Sequence, residues 1–186
     1  MSAPRSAWLD DLKRVDTAVY AAIATTPTET LDHGLRRLSH AANYSRLSIG
    51  AAALLSVFGG RDGRRAAVEG LASVGVTSAV VNQVIKRLAT RRRPDREGHE
   101  VPGVRHVAMP SSASFPSGHS AAAFAFATGV GHTLPDAAAP LRGLAAVVAY
   151  SRVHTGVHYP GDVVAGALVG TILAQVTTHA LDRRSG

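Results

Sequence analysis

Five apolar segments, at 47–60, 66–85, 118–134, 141–153 and 163–180, constrain this chain more than anything else in it. Crossing the hydrocarbon core of a bilayer takes about 20 apolar residues, with a range of roughly 17–25. The second, third and fifth segments reach that range, and the first and fourth need flanking residues to do so. A soluble bundle with buried helices has segments of similar length, so composition has to help decide. Hydrophobic residues make up 46% of the chain and aromatic residues only 5%, and there are 18 Gly. Small residues of that kind let helices approach closely, as they do in membrane bundles. The mean hydropathy of +0.08 is low for such a protein, because polar ends and basic loops dilute the apolar segments. The expected fold is all-α: a polytopic transmembrane helix bundle of about five spans, preceded by N-terminal amphipathic helices. Its 186 residues suffice for one domain. The chain divides into an amphipathic region at 1–44, a helical bundle at 45–181 and a basic tail at 182–186.

The N-terminal region has its own pattern. Trp8, Leu12, Val15, Val19 and Ile23 recur at helical spacing, and Leu31, Leu35 and Leu38 repeat the pattern with Arg36 and Arg37 opposite. Thr26 and Pro27 divide the two helices. They are expected to lie on a membrane surface; the competing expectation is that they cover a soluble core. Residues 1–16 are charged and do not resemble a cleavable signal.

Charge narrows the partners. The net charge of +7 favours anions: nucleic acid, anionic lipid or phosphate substrates. No aromatic residues interleave with the basic runs to stack on bases, so nucleic acid is not an expected partner. The chain has no cysteine, which excludes disulfides and thiolate metal sites. In a five-span alternation, Arg61, Arg64, Arg65, Arg142, Arg183 and Arg184 share one side, the cytoplasmic one by the positive-inside rule. The opposite side holds the loops 86–117 and 154–162. It is also basic, through Lys86, Arg87, Arg91, Arg92, Arg93, Arg96 and Arg105. The assignment is consistent if that second basic group serves chemistry.

Three clusters on that second side carry chemistry. Lys86 and Arg93, with Pro94 after it, can surround a dianion together with Arg152; arginine offers two-point donation to phosphate oxygens and lysine a mobile point charge. Arg87, Arg91 and Arg92 read instead as a solvated basic loop. Pro116, Ser117, Gly118 and His119 open the third apolar segment. Ser117 can cap that helix, Gly118 permits close backbone approach, and a helix N-terminus favours a bound anion. Finally, Asp162 follows His158 by four positions. A carboxylate on one imidazole nitrogen fixes the tautomer and leaves the other nitrogen free to attack. A metal site of His154, His158 and Asp162 is the competing reading, against which Gly156, Pro160 and Gly161 interrupt a continuous helix.

In this order and spacing, the clusters from Lys86 to Asp162 closely resemble the three-part signature of the type 2 phosphatidic acid phosphatase superfamily. That family includes bacterial lipid phosphatases, soluble acid phosphatases and vanadium-dependent haloperoxidases. The resemblance implies a phosphoric ester hydrolase that needs no metal or other cofactor. His158 would be the nucleophile that becomes phosphohistidine, Asp162 its orienting partner, and His119 the general acid and then base. Lys86, Arg93, Ser117, Gly118 and Arg152 would bind the substrate phosphate. The implied partner is a lipid phosphate in a bacterial plasma membrane, with the site on the outer face. Phosphatidic acid, phosphatidylglycerol phosphate, polyprenyl diphosphate and decaprenyl-phosphoryl phosphoribose are the candidate substrates. A soluble acid phosphatase or haloperoxidase-like enzyme with the same site is one alternative. A non-enzymatic membrane or nucleic-acid binding protein is the other. The resemblance does not extend clearly to residues 1–44.

Overall fold

A computed structural model describes the backbone of residues 5–185 and the side chains of residues 7–184. Residues 1–4 of the charged N-terminal stretch lie outside the described residues. Helices α1 (Arg5–Thr25) and α2 (Glu29–Ala41) are followed by a 3-10 turn at Asn43–Ser45 and by α3 (Arg46–Phe58). Next come α4 (Gly60–Val80), a π turn at Val81–Ile85 and the short α5 (Lys86–Leu88). A long loop with a 3-10 turn at Gly103–Arg105 leads to α6 (Gly118–Thr133), α7 (Pro135–His154) and α8 (Pro160–Ser185). No strand occurs among the described residues.

Of the two short expected segments, 47–60 becomes the 13-residue α3 and does not lengthen, whereas 141–153 does. The segment at 141–153 becomes a helix from Pro135, with Pro135 in its first turn, where a missing N–H has no intrahelical partner to lose. The residues expected as a basic tail, 182–185, continue α8. Two stretches, Gly60–Leu88 and Pro160–Arg184, are long and apolar enough to cross a membrane.

Helix α6 is the centre of the bundle and packs against α4, α7 and α8. Small residues set that closeness. A Cβ on Gly129 of α6 would lie 2.9 Å from the Gly70 Cα of α4, and one on Gly166 of α8 would lie 2.5 Å from the Ser117 carbonyl. Either would force the helices apart. The interior is correspondingly made of small and polar side chains: Ala66, Ala121, Ala125, Ser73, Thr77 and Ser120 are buried. The large aliphatic side chains point outward. On α8, Val164, Leu168, Ile172 and Val176 are 57–62% exposed at every fourth position, an apolar stripe facing out of the bundle. A monomeric water-soluble protein rarely carries an apolar face of that kind, whereas a bundle solvated by lipid packs through its small residues and turns its aliphatic ones outward.

Helix α1 follows the same inverted rule. Trp8, Leu12, Val15 and Val19 are exposed, and Tyr20 and Ala24 pack inward with Val101 and Val153. Its apolar stripe therefore does not cover a core. The α1–α2 corner is held by Arg105, which donates to the carbonyls of Ile23, Ala24 and Thr26, to Thr28 Oγ1 and to Asp32 Oδ1 at 2.8–3.2 Å. Carbonyls at a helix C-terminus lack intrahelical donors, and one buried guanidinium supplies them here. His154 Nε2 closes the cluster, 2.9 Å from Thr28 Oγ1 and 3.1 Å from Asp32 Oδ1.

Candidate active site

The end of the bundle where α6 and α8 begin and α5 and α7 end gathers the chemistry-bearing residues. Lys86 follows directly on the π turn, a feature often found at functional sites, where the extra residue re-aims side chains. Ser117 caps α6: its hydroxyl accepts from Ser120 N at 3.4 Å, and its own N–H donates to the Asp162 carbonyl at 2.9 Å, tying the α6 start to α8. An added Cβ on Gly118 would lie 3.7 Å from Lys86 Nζ, in the space between that cation and the helix end. A glycine there keeps the space open to an anion.

His158 lies in the α7–α8 loop and is 1% exposed. Arg93 NH1 donates to His158 Nε2 at 3.1 Å, and to the Val157 carbonyl at 2.8 Å. A guanidinium only donates, so Nε2 must carry the lone pair and Nδ1 the proton. Nδ1 accordingly faces acceptors: Ser114 Oγ at 3.4 Å and Asp162 Oδ2 at 3.6 Å. Burial holds the His158 imidazole down to about 4; the hydrogen bond with Asp162 works upward against this, and Arg93 and Arg152 add to the lowering. At neutral pH the imidazole is uncharged, with a bare Nε2.

Asp162 is fully buried and well supplied with donors. Ser114 Oγ donates to Oδ2 at 2.5 Å, Tyr159 N to Oδ2 at 2.9 Å and Arg91 NH1 to Oδ1 at 2.9 Å. Lys86 is held by one long contact, whereas Arg93 is fixed by donation from all three of its nitrogens. Lys86 Nζ has Ser112 Oγ at 3.3 Å, while Arg93 Nε donates to the Ser112 carbonyl at 2.9 Å. Arg152 is 2% exposed; its NH1 donates to Ser39 Oγ at 2.6 Å, and its buried Nε has no partner. An unpaired buried donor is costly, and a phosphate oxygen is the kind of group that would satisfy it. His119 Nε2 lies 2.9 Å from Asn43 Oδ1 and donates to it, since the amide oxygen only accepts.

Lys86, Arg93, Gly118, His119 and His158 line one end of a cavity of about 350 Å³. From there it runs along apolar residues of α3, α6 and α7, among them Leu47, Ala51, Phe126, Leu141 and Val148. Its walls are basic at one end and apolar along the rest.

Sequence reasoning did not single out Asp16, Ser39, Asn43 or Ser114, and it took Arg91 for a solvated loop residue. Arg91 is instead engaged with both Asp162 and Asp16. The competing metal trio does not assemble, because His154 turns its Nε2 to Thr28 and Asp32. A different trio, Glu69, His132 and Asp182, brings its ligand atoms within 4.8 Å of one another. Arg65 pairs with both of its carboxylates and Thr133 donates to Glu69, which makes it an ion-paired clasp between α4, α6 and α8.

The PAP2 superfamily model matches residues 67–185. The chain belongs to the PAP2 superfamily. It is 35% identical over 149 residues to the decaprenylphosphoryl-5-phosphoribose phosphatase of Mycolicibacterium smegmatis, covering 80% of this chain and 77% of that one. It is 37% identical over 97 residues to the protein of the same name from Mycobacterium tuberculosis. That match spans 50% of this chain and about half, 49%, of the relative's length. Two solved structures share the fold. The transmembrane PAP2 type phosphatidylglycerolphosphate phosphatase of Bacillus subtilis superposes with a TM-score of 0.70 at 24% identity, covering 93% of this chain and 87% of that one. Aquifex aeolicus LpxE superposes with a TM-score of 0.70 at 24% identity, covering 88% and 94%.

Proposed function

We propose that this PAP2 protein is a membrane-embedded phosphatase that hydrolyses a lipid or polyprenyl phosphate through a phosphohistidine on His158. The observation that carries the reading is the Arg93 NH1 to His158 Nε2 contact at 3.1 Å. It supports the reading because an unprotonated imidazole nitrogen, held by a guanidinium, is the pairing a phosphohistidine mechanism needs. Nε2 attacks phosphorus and the bond to the leaving oxygen breaks, with the proton for that oxygen supplied by His119. Asp162 steadies the positive charge that develops on the ring. Water then attacks phosphorus, His119 takes its proton, and the P–N bond breaks to release phosphate.

Lys86, Arg93, Arg152 and the N–H groups at the start of α6 neutralise the phosphoryl oxygens. Phosphoryl transfer asks for little else than positioning and charge stabilisation. Among the described residues the cavity lining includes no carboxylate and so offers no cage of hard oxygen ligands for magnesium; the reaction is proposed to be metal-independent. The apolar length of the cavity suits a lipid tail, and the naming of the mycobacterial relatives makes a polyprenyl-linked phosphosugar the first substrate to try. The outward aliphatic faces support a membrane-embedded bundle, for which about five spans are proposed, and Arg61, Arg64 and Arg65 at the start of α4 support a cytoplasmic place for that end and an outer face for the active site.

The test is phosphate release from a panel of lipid phosphates in detergent. His158→Ala should abolish turnover, vanadate should inhibit by mimicking the five-coordinate transition state, and chelator should leave the rate unchanged. Loss of activity to chelator with recovery on adding magnesium or zinc would overturn the metal-free mechanism. Release by the His158 variant would overturn the phosphohistidine.

A further inference from the structure

Helix α1 lies outside the segment that matches the family model, which begins at residue 67. One of its side chains nevertheless reaches the catalytic cluster. Asp16 is largely buried, with 12% of its side chain exposed. Its Oδ1 accepts from the Gly161 N–H at 2.7 Å, at the first turn of α8. Its Oδ2 accepts from Arg91 NH2 at 2.5 Å. The other terminal nitrogen of that guanidinium, NH1, donates to Asp162 Oδ1 at 2.9 Å. Arg91 is thus a fork whose two tines hold two carboxylates, and the Tyr159 ring lies under it at 4.2 Å from guanidinium to centroid.

We propose that Asp16, acting through Arg91, is a positioning residue for the Asp162–His158 pair, which makes α1 a working part of the active site. The inference rests on the phosphatase reading for its catalytic consequence, though not for its geometry. Two effects follow from the chain of contacts. Arg91 holds Oδ1 of Asp162, which fixes the carboxylate plane and leaves Oδ2 to Ser114 and His158. Asp16 holds Arg91 and balances its charge. Asp16, Arg91 and Asp162 together carry one net negative charge, so Asp162 still acts on His158 as an anion. Without Asp16, the same Arg91 would cancel the field of Asp162 at the ring that must become positively charged. Without Arg91, the carboxylate would act at full strength but lose its orientation.

Those opposite signs separate the idea from a merely structural role. The charged and titratable groups facing His158 are Asp162 from α8, Arg93 from the loop after α5, and Arg152 from α7, with His119 of α6 near enough to feel its charge. Tyr159 feels the charges of Arg91, Asp162, Asp16 and Asp95. Substituting Asp16 or Arg91 leaves Arg93, Arg152 and His119 in place and acts on His158 through Asp162, which Arg91 contacts. A change in the His158 titration then reports the balance between Asp16 and Arg91.

The experiment uses the full chain in detergent: wild type, Asp16→Asn, Asp16→Glu, Arg91→Gln, the Asp16→Asn/Arg91→Gln double variant, and Asp10→Asn as a control from the exposed face of α1. Folding is checked first by the unfolding midpoint. Should Asp16→Asn not purify folded, Asp16→Glu and Arg91→Gln carry the comparison. Outer partners of metal-bound histidines contribute roughly 10–100-fold, and a loss of the same order, about tenfold or more in kcat with KM little changed, is expected here for each single charge-removing variant. Asp16→Glu should recover part of the loss. The acid limb of kcat/KM should move to lower pH in Asp16→Asn and to higher pH in Arg91→Gln. It should return toward wild type in the double variant; the substrate's own titration is common to all and cancels. The same pH series is run for carbethoxylation of His158 by diethylpyrocarbonate, located by mass spectrometry, which needs no turnover. If the wild type releases phosphate from no lipid phosphate, the phosphatase reading fails and the labelling series still decides the positioning. Unchanged kcat in a folded Asp16→Asn, or limbs that shift together or not at all, overturns the proposal.

Discussion

Arg152→Lys is the substitution whose cost the structure best defines. Arg152 is 2% exposed near the end of α7, and its NH1 is anchored by the Ser39 hydroxyl at 2.6 Å and carbonyl at 3.3 Å. Its Nε, buried and without a partner, is a donor fixed in place before the substrate arrives. A preorganised donor aimed at developing charge typically contributes about 2.7–4 kcal/mol to the transition state, or roughly 10²–10³ in kcat. Lysine keeps the charge but loses the planar fork, so Arg152→Lys should fall toward that range and Arg152→Met should reach it. Ser39→Ala removes only the anchor. Its effect is bounded by a hydrogen bond to a charged group, about 1.5–3 kcal/mol, and should be smaller than that of Arg152→Met. The two changes should not add, because the anchor has nothing to hold once the guanidinium is gone. The assay is steady-state phosphate release on folded protein, with unfolding midpoints measured in parallel. Near-normal kcat in folded Arg152→Met refutes the reasoning, and full additivity with Ser39→Ala refutes the anchoring.

The two histidines should part company on leaving groups: His119→Ala should recover activity on a nitrophenyl phosphate, which needs no protonation to depart, whereas His158→Ala should not. Equal rescue of both would reverse or void the assigned roles. Arg105→Met should strand a buried Asp32 charge and cost about 3–5 kcal/mol of stability, read as a lowered unfolding midpoint; adding Asp32→Asn should recover part, and an additive loss would count against the pair. Burial pushes the Asp32 carboxyl up, but hydrogen bonds from Thr28 and Arg105 more than offset this and leave it below its ordinary value. Its contribution is therefore present above the unfolded-state pKa and lost as pH falls through the folded one, so Asp32→Asn should flatten the acid side of the stability curve. Cysteines introduced near Arg64 and near Gly103 should label from opposite sides of a sealed membrane, with the Gly103 side external, and labelling of both from one side would sink the five-span arrangement.

Which parts of this molecule were legible in its sequence depends on the distance over which each part acts. Lys86 with Arg93, Ser117 with His119, and His158 with Asp162 are pairs whose spacing is short, so the chemistry shows in the string itself. The residues that were missed act across the chain. Arg91 reaches Asp162 over 71 positions and Asp16 over 75, and Ser39 reaches Arg152 over 113. Nothing local distinguishes Arg91 from Arg92 beside it: one is clamped between two carboxylates, the other is exposed. Reading Arg87, Arg91 and Arg92 as solvated is the average expectation for basic loop residues, and helix packing overrides it at Arg91.

Helix faces are hard to read for a different reason, which concerns the solvent. Periodicity marks an apolar stripe without saying which side it faces; burial inside is an inference that assumes water outside. On α4 the assumption inverts. Glu69, Ser73 and Thr77, spaced at every fourth position, are 0–3% exposed, and Val68, Leu71 and Val76 are 38–62% exposed. The polar stripe is the interior one, held by the Ser73 hydroxyl on the Glu69 carbonyl at 2.7 Å and by Arg65 and Thr133 on the Glu69 carboxylate. In lipid, apolar surface gains nothing by facing a neighbour, while small polar side chains gain close contact and hydrogen bonds. The same inversion on α1 turns Trp8, Leu12 and Val15 outward and leaves Asp16 and Tyr20 facing the bundle. The polar residue in that apolar helix is therefore the one to follow inward, and through Arg91 it ends at the Asp162 carboxylate beside His158.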